Sequence, residues 1–403
     1  MSISMSKQTN TFPENIILQI LHKLPIKSLG RCLCVCKTWL SLIKNPSFIS
    51  AHLNISSNRN TGLFLVTVRK NYVGIGYFLD YFLQVDNQES SGEYTQLKYI
   101  RFDNYAFVGS CNGLHCLREY PNPNSFEYEL IIWNPIIEKY IRLPTPNYRD
   151  HASAPSEKDF SIGFGYDSVR DDYKVLRITR ELENGISVDL YSLKKNQWQT
   201  IAPPDFVRNP NERAMVLVNG VVHWVASDYG QQGREFWVLG FDLSNETFKR
   251  FVLPESLRIS SLRSRIDLHV REHGSSISVI KVDGTDSWYS RTQIWVMKEY
   301  GVAETWAKIL SIEGGPLDPT LQFMGFGKNG QVIINKTDMC DQRVDLCNVS
   351  SNRTTKNGGV LRGRSLYLYS QNYNYVESLV LLDHAGTLTR DASNLREGNC
   401  FFS

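Results

Sequence analysis

The residues best spaced for catalysis in this chain are His269-Val270-Arg271-Glu272-His273, an H-x-x-E-H run of the kind in which two imidazoles hold zinc beside a glutamate. That chemistry needs a helix, where residues i and i+4 share a face about 6 Å apart. Residues 266–273 instead alternate apolar and polar, then meet Gly274 before the apolar run Ile277-Ser278-Val279-Ile280, which is the pattern of strands around a turn. On a strand the two rings stand about 13 Å apart, too far to share one ion held by bonds of about 2 Å. Cys340 and Cys347 lack the close pairing of a zinc knuckle, and Cys32, Cys34 and Cys36 fall in a helical pattern that points them in different directions. Gly163-Phe164-Gly165 and Gly74-Ile75-Gly76 lack the third glycine of a dinucleotide fingerprint and read as close-packed strand glycines. No G-x-S-x-G elbow occurs. No metal or other cofactor is expected, and the chain reads as a non-enzyme.

Strands would carry most of these residues. Leu63-Phe64-Leu65-Val66, Leu130-Ile131-Ile132-Trp133, Tyr173-Lys174-Val175-Leu176, Val221-Val222-His223-Trp224 and Val332-Ile333-Ile334 are short runs rich in β-branched and aromatic residues. Turn signals lie between such runs at Asn112-Gly113, Asp167 to Asp171, Asn219-Gly220, His273-Gly274 and Asn329-Gly330. They recur every ~54 residues, a length that suits four-stranded propeller blades. Strand runs ending in an aromatic and then proline keep the same beat at Leu143-Pro144, Pro203-Pro204 and Leu253-Pro254. About six blades fit between residues 55 and 390, with one strand from the start or end of the chain completing the ring. Tyr367-Leu368-Tyr369 and Val380-Leu381-Leu382 read as a final hairpin, and residues 391–403 as a tail.

Residues 9–54 follow a different period, after a polar tail at 1–8. Pro13 suits a helix start, and Ile16, Ile17, Ile20, Leu21 and Leu24 recur at spacings of three and four until Pro25 stops them. A second helix begins near Ile26 and runs through Leu29, Leu33, Val35, Cys36, Trp39, Leu40 and Ile43 to Asn45-Pro46; Phe48, Ile49 and Leu53 form a last turn. A module of roughly 45 residues is marginal alone and needs the rest of the chain, or a partner, to cover its apolar faces.

This ordered run (Phe12-Pro13, Leu24 to Leu29, Cys34-Val35-Cys36-Lys37, Trp39 and Pro46 to Phe48) resembles the F-box, with Phe12 standing where that family most often has Leu. The strand region resembles the F-box-associated, kelch-like domain of plant F-box proteins through Gly109-Ser110-Cys111-Asn112-Gly113-Leu114, Trp133-Asn134-Pro135, Gly163 to Asp167, Asp171 to Val175, and Trp295 to Tyr300 followed by Trp306. The implied architecture is α+β multidomain: a small three-helix F-box at 9–54, then a mainly β kelch-like propeller of about six blades at 55–390. The implied function is that of a substrate-recognition adaptor in a Skp1-cullin-F-box ubiquitin ligase. The F-box would dock on a Skp1-like protein, with cullin bound indirectly, while the propeller holds a target protein whose identity the resemblance does not give. By resemblance the docking residues are Pro13, Ile17, Leu18, Leu24, Pro25, Leu29, Val35, Cys36 and Trp39, of which some must be core within the module.

Target contacts are expected in loops at one propeller face. The candidates are Tyr120–Glu127, Asn147–Lys158, Asp228–Glu235 and Asp283–Arg291, with Tyr148, Tyr229, Trp288 and Tyr289 as aromatic anchors. The alternative, from another class, is a propeller enzyme or small-molecule receptor capped by the head, with a deep central pocket and function that survives removal of the head.

Composition narrows the partners. Among 403 residues, 44 Lys and Arg against 41 Asp and Glu give a net charge of +3, which provides no long-range pull toward nucleic acid or anionic membrane. Arg258, Arg263, Arg265 and Arg271 have no aromatics interleaved for stacking on bases and read as a solvated cluster. The polar first dozen residues and the lack of any apolar run near 18 residues point to a cytoplasmic or nuclear protein with no membrane partner. The eight cysteines then read as reduced thiols, and the five N-x-Ser/Thr sequons as chance.

Overall fold

The computed structural model describes residues 12–58, 63–72, 76–85, 94–96, 105–119, 128–145, 160–181, 185–207, 215–230, 233–260, 265–286, 289–314, 321–326, 332–337, 342–348, 353–355, 360–361, 366–367 and 373–381. The head holds α1 (Glu14–Lys23), α2 (Ile26–Cys32), α3 (Lys37–Ile43) and α4 (Pro46–Asn58). Pro13 starts α1: its carbonyl accepts from the N–H groups of Ile16 and Ile17 at 3.0 and 3.2 Å. Glu14 at the head of α1 and His22-Lys23 at its tail agree with the helix dipole.

The expected three helices are four. The pattern read as one second helix breaks at Cys36, whose backbone is extended (φ −161°) and whose Sγ accepts from the Trp39 N–H to cap α3. The expected last turn is a 13-residue helix that passes residue 54 and ends at Asn58. Ser57 bonds back to the Leu53 carbonyl at 2.9 Å there.

Among the described residues, six antiparallel sheets follow. The first holds β1 (Leu63–Tyr72), β2 (Gly76–Val85) and β3 (Tyr94–Gln96); the second β4 (Tyr105–Cys111), β5 (Leu114–Glu119), β6 (Glu129–Asn134) and β7 (Lys139–Arg142). The third holds β8 (Phe160–Asp167), β9 (Asp172–Glu181), β10 (Gly185–Ser192) and β11 (Gln197–Ile201). In the fourth, β12 (Val216–Val218), β13 (Val221–Gly230), β14 (Gly233–Asp242) and β15 (Thr247–Phe251) lead through α5 (Glu255–Arg258) to β16 (Ile259–Ser260). The fifth holds β17 (Arg265–His273), β18 (Ser276–Asp286), β19 (Tyr289–Met297) and β20 (Trp306–Gly314). The sixth holds β21 (Leu321–Phe326), β22 (Val332–Thr337), β23 (Gln342–Asn348), β24 (Arg353–Thr355) and β25 (Val360–Leu361). Finally β26 (Leu366–Tyr367) and β27 (Tyr373–Tyr375) return to pair with β1, so the end of the chain completes the first sheet. Of the expected final hairpin, Leu368, Tyr369 and Leu382 lie outside the described residues, whereas Val380-Leu381 form a turn and not a strand, after irregular residues 376–379 that pack on the second sheet.

Four of the five periodic turns are those between the first and second strands of sheets two to five, and Asn329-Gly330 lies outside the described residues. At Asn112-Gly113 and Asn219-Gly220 both turn residues have positive φ (52° and 77°; 53° and 72°), the geometry that two-residue hairpins require. The repeat also appears between blades: the indole N–H of Trp198 donates to the Pro144 carbonyl at 2.7 Å and that of Trp306 to the Val252 carbonyl at 3.0 Å, each spanning 54 residues. Gly163 is where two sheets touch, since a Cβ there would lie 2.4 Å from the Trp224 ring. One continuous apolar cluster joins Leu21, Ile26, Leu29, Ile43, Phe48 and Ile49 of the head to the interiors of sheets two to four and to Leu379 and Leu381.

Candidate functional site

The head divides its apolar residues between two faces. Leu21, Ile26, Leu29 and Ile43 are buried, and α1 is fastened to α4 by the His22 ring stacked on Phe48 (4.3 Å between centroids) and by His52 Nε2, 3.0 Å from the Leu24 carbonyl. Phe12, Ile16, Ile20 and Val35 are instead 69, 40, 50 and 61% exposed. Ile16 and Ile20 lie one helical turn apart, so with Phe12 they form an apolar strip facing water.

Of the residues read from the sequence as docking positions, Pro13, Pro25, Val35 and Cys36 are exposed, and Ile17, Leu18, Leu24 and Trp39 are half-buried. Leu29 is wholly enclosed among core residues and presents nothing outward. The exposed Phe12, Ile16 and Ile20 were not among those positions. The signal was present: five apolar residues in ten positions of α1 are more than one core-facing stripe accounts for.

The head attaches at one rim of the sheets. Beyond β27, the Asn134 side-chain amide donates to the Ser378 and Val380 carbonyls at 2.9 Å each, and Val376 and Ser378 pack on the Gly113 turn. Burial raises the Glu377 carboxyl pKa, and Lys27 of α2 is near enough to oppose that shift. Asn134 and Gly113 both lie where first strands meet second and third meet fourth. In an antiparallel meander, the ends of β5, β13 and β18 then point to the other rim, roughly 20–35 Å away at about 3.3 Å per residue. The four candidate target loops start from strand ends on that rim.

Two of those loops are shorter than expected. β13 and β14 stay paired to Gly230 and Gly233, so Tyr229 is a strand residue opposite Arg234; it is 68% exposed, with the guanidinium 5.6 Å from its ring centre. β18 and β19 stay paired to Asp286 and Tyr289 because a bulge between Gly284 and Asp286 lets the ladder continue. Tyr148, Trp288 and the segments 120–127 and 147–158 lie outside the described residues, as does the side chain of Tyr289.

His269 and His273 lie on β17, not on a helix. His269 Nε2 is 3.5 Å from Asp267, and the His273 ring meets Phe326 edge-on at 4.6 Å. Among the described residues no group of three or more His, Cys, Asp or Glu converges as a metal site would need.

The chain matches two family descriptions, an F-box domain over residues 10–50 and an F-box associated beta propeller domain over residues 77–382. An F-box/kelch-repeat protein of Arabidopsis thaliana is 27% identical over 328 residues, which span 76% of this chain and 80% of that one. An F-box protein and the F-box protein CPR1, both also of Arabidopsis thaliana, are each 28% identical. The first covers 75% of this chain and 72% of its own length, and CPR1 covers 75% and 73%.

Proposed function

On the premise that this chain belongs to the family of F-box proteins with an F-box-associated β-propeller, we propose that it is a non-catalytic adaptor of a Skp1-cullin-F-box ubiquitin ligase. In this reading the head docks on a Skp1-like protein and the far rim of the propeller holds a target protein. The observation that carries the reading is the water-facing strip of Phe12, Ile16 and Ile20, with Val35 also exposed, on a head that buries Leu21, Ile26, Leu29 and Ile43. Pro13, Pro25 and Cys36 are exposed on the same head, and Ile17, Leu18, Leu24 and Trp39 are half-buried.

The work of such an adaptor is tethering. Holding a target lysine near a charged ubiquitin carrier replaces bimolecular encounter with a high effective concentration. Rigidity and opposed docking rims serve that end, and no acid or base group is needed from this chain.

The test is binding of purified Skp1 to the full chain, wild type and Ile20→Glu/Val35→Asp. Both positions are exposed, so thermal stability should stay within about 0.5 kcal/mol of wild type, while Skp1 affinity falls by about tenfold or more. No binding by well-folded wild-type chain would end the adaptor reading.

A further inference from the structure

At the rim away from the head, the fourth sheet folds back over its own strand ends. β15 leads through Val252-Leu253-Pro254 into α5, and β16 then pairs with the start of β14 (Glu235 opposite Ile259). A cavity of about 70 Å³ lies between them, lined by Glu235, Phe236, Trp237, Arg250, Val252 and Arg258 among others.

Its polar groups are unbalanced. Trp237 is 3% exposed, and its indole N–H is buried with no acceptor among the described residues; Nε of Arg258 is in the same condition. A buried donor without a partner costs about 1–3 kcal/mol, so two beside one small cavity need a reason. Arg250 lies 4.5 Å over the Trp237 ring and donates to Glu235 at 3.2 Å. Glu235 therefore balances one guanidinium, and among the described residues no ion pair joins Arg258 to a carboxylate. Glu235, already engaged by Arg250, is the one carboxylate in the lining, which leaves the Arg258 charge without a counter-charge there. A water could satisfy the two donors but would leave the surplus charge in place.

The geometry points to a pocket for the carboxylate of an aspartate or glutamate in the target protein. Such a group accepts from an indole N–H and a guanidinium together, in charge-assisted hydrogen bonds of the stronger kind. Arg250, with 40% of its side chain exposed, is the wall that swings to admit it. Val252 and Ile259, 48 and 39% exposed, flank the pocket with apolar surface for the neighbouring target residues. The identity of the occupant as a target segment rests on the adaptor reading; the chemistry of the pocket does not.

The experiment uses the full chain with ¹⁵N-labelled tryptophan, whose eight indole N–H signals are followed during titration with Ac-Ala-Glu-Ala-NH₂. Trp237→Phe assigns the signal, and Arg250→Gln, which removes the cation from the ring, assigns it independently if the first variant fails to fold. The glutamate peptide should move the Trp237 signal saturably with a Kd on the order of 1 mM. Ac-Ala-Gln-Ala-NH₂ should not move it, and Arg258→Gln should weaken binding about tenfold or more while leaving the other indole signals in place. No saturable shift, or an equal shift with the glutamine peptide, overturns the proposal, the latter by showing a site for water or neutral groups. A third peptide, Ac-Ala-pSer-Ala-NH₂, is run in parallel, and a shift with it alone overturns the carboxylate assignment. Skp1 binding is measured on the same sample: its failure with the shift intact removes the adaptor reading alone, and the converse removes the pocket alone.

Discussion

His223 is wholly enclosed near the start of β13, with Nε2 2.9 Å from the Tyr300 hydroxyl and Nδ1 3.3 Å from the Val216 carbonyl. An Nδ1–H tautomer meets both contacts: Nδ1 donates to the carbonyl and Nε2 accepts from the hydroxyl. Burial pushes the imidazole from 6.5 down to about 4, against the opposing pull of the Val216 and Val221 backbone. Above pH 6.5 the ring is neutral in folded and unfolded chains alike, and the full stability is present. As pH falls from 6.5 toward 4, only the unfolded chain takes up the proton, so stability is lost through that window, on the order of 3 kcal/mol in all. The denaturation midpoint should therefore drop between pH 7 and pH 4.5, and His223→Gln should drop less; equal drops would place the effect on other groups. Asp242, held down to about 2 because the Asn245 N–H and Lys249 outweigh its burial, loses its contribution only below pH 4 and does not blur the comparison. The Val-Val-His-Trp pattern marked His223 as a strand residue, but nothing local could show that its ring is enclosed by Phe251 and Tyr300.

At the scale of elements, the segment 376–381 does what strand pairing does elsewhere. Asn134 ends β6 fully buried, accepts the Ile136 N–H at 3.1 Å to shape its own turn, and donates to two carbonyls of this segment. Asn134→Ala would remove both donations to these carbonyls and should cost about 2 kcal/mol or more in chemical denaturation. Asn134→Asp should cost more still, because it sets a carboxylate against two carbonyl oxygens; an unchanged midpoint in both variants would deny the segment its fastening role. Trp133-Asn134-Pro135 was legible as a family motif, yet its partners lie some 244 residues away. Helix α1 teaches the same lesson. Its periodicity gave its start and end, whereas the division of Ile16 and Ile20 from Leu21 depends on where α4 and the propeller lie.

For the whole molecule, closure of the ring is the decisive event. β26 and β27 pair with β1 through Tyr367 opposite Arg69 and Tyr375 opposite Leu63. Deleting residues 366–403 would leave β1 with an unpaired edge and strip Leu379 and Leu381 from the shared core. Such a chain should aggregate in size-exclusion chromatography, and a monodisperse, fully folded product would show that closure is dispensable. The sequence alone determined the helical head, the mainly β remainder, the periodic turns and a blade count of about six, because these follow from periodicity and turn conformation within a few residues, repeated every ~54 residues. Tertiary structure alone decided which apolar face of the head meets water, which rim carries the head, how the last strands complete the first sheet, and where Trp237 and Arg258 converge. Those outcomes depend on packing between residues tens to hundreds of positions apart, and burial there is settled by neighbours that no local pattern specifies.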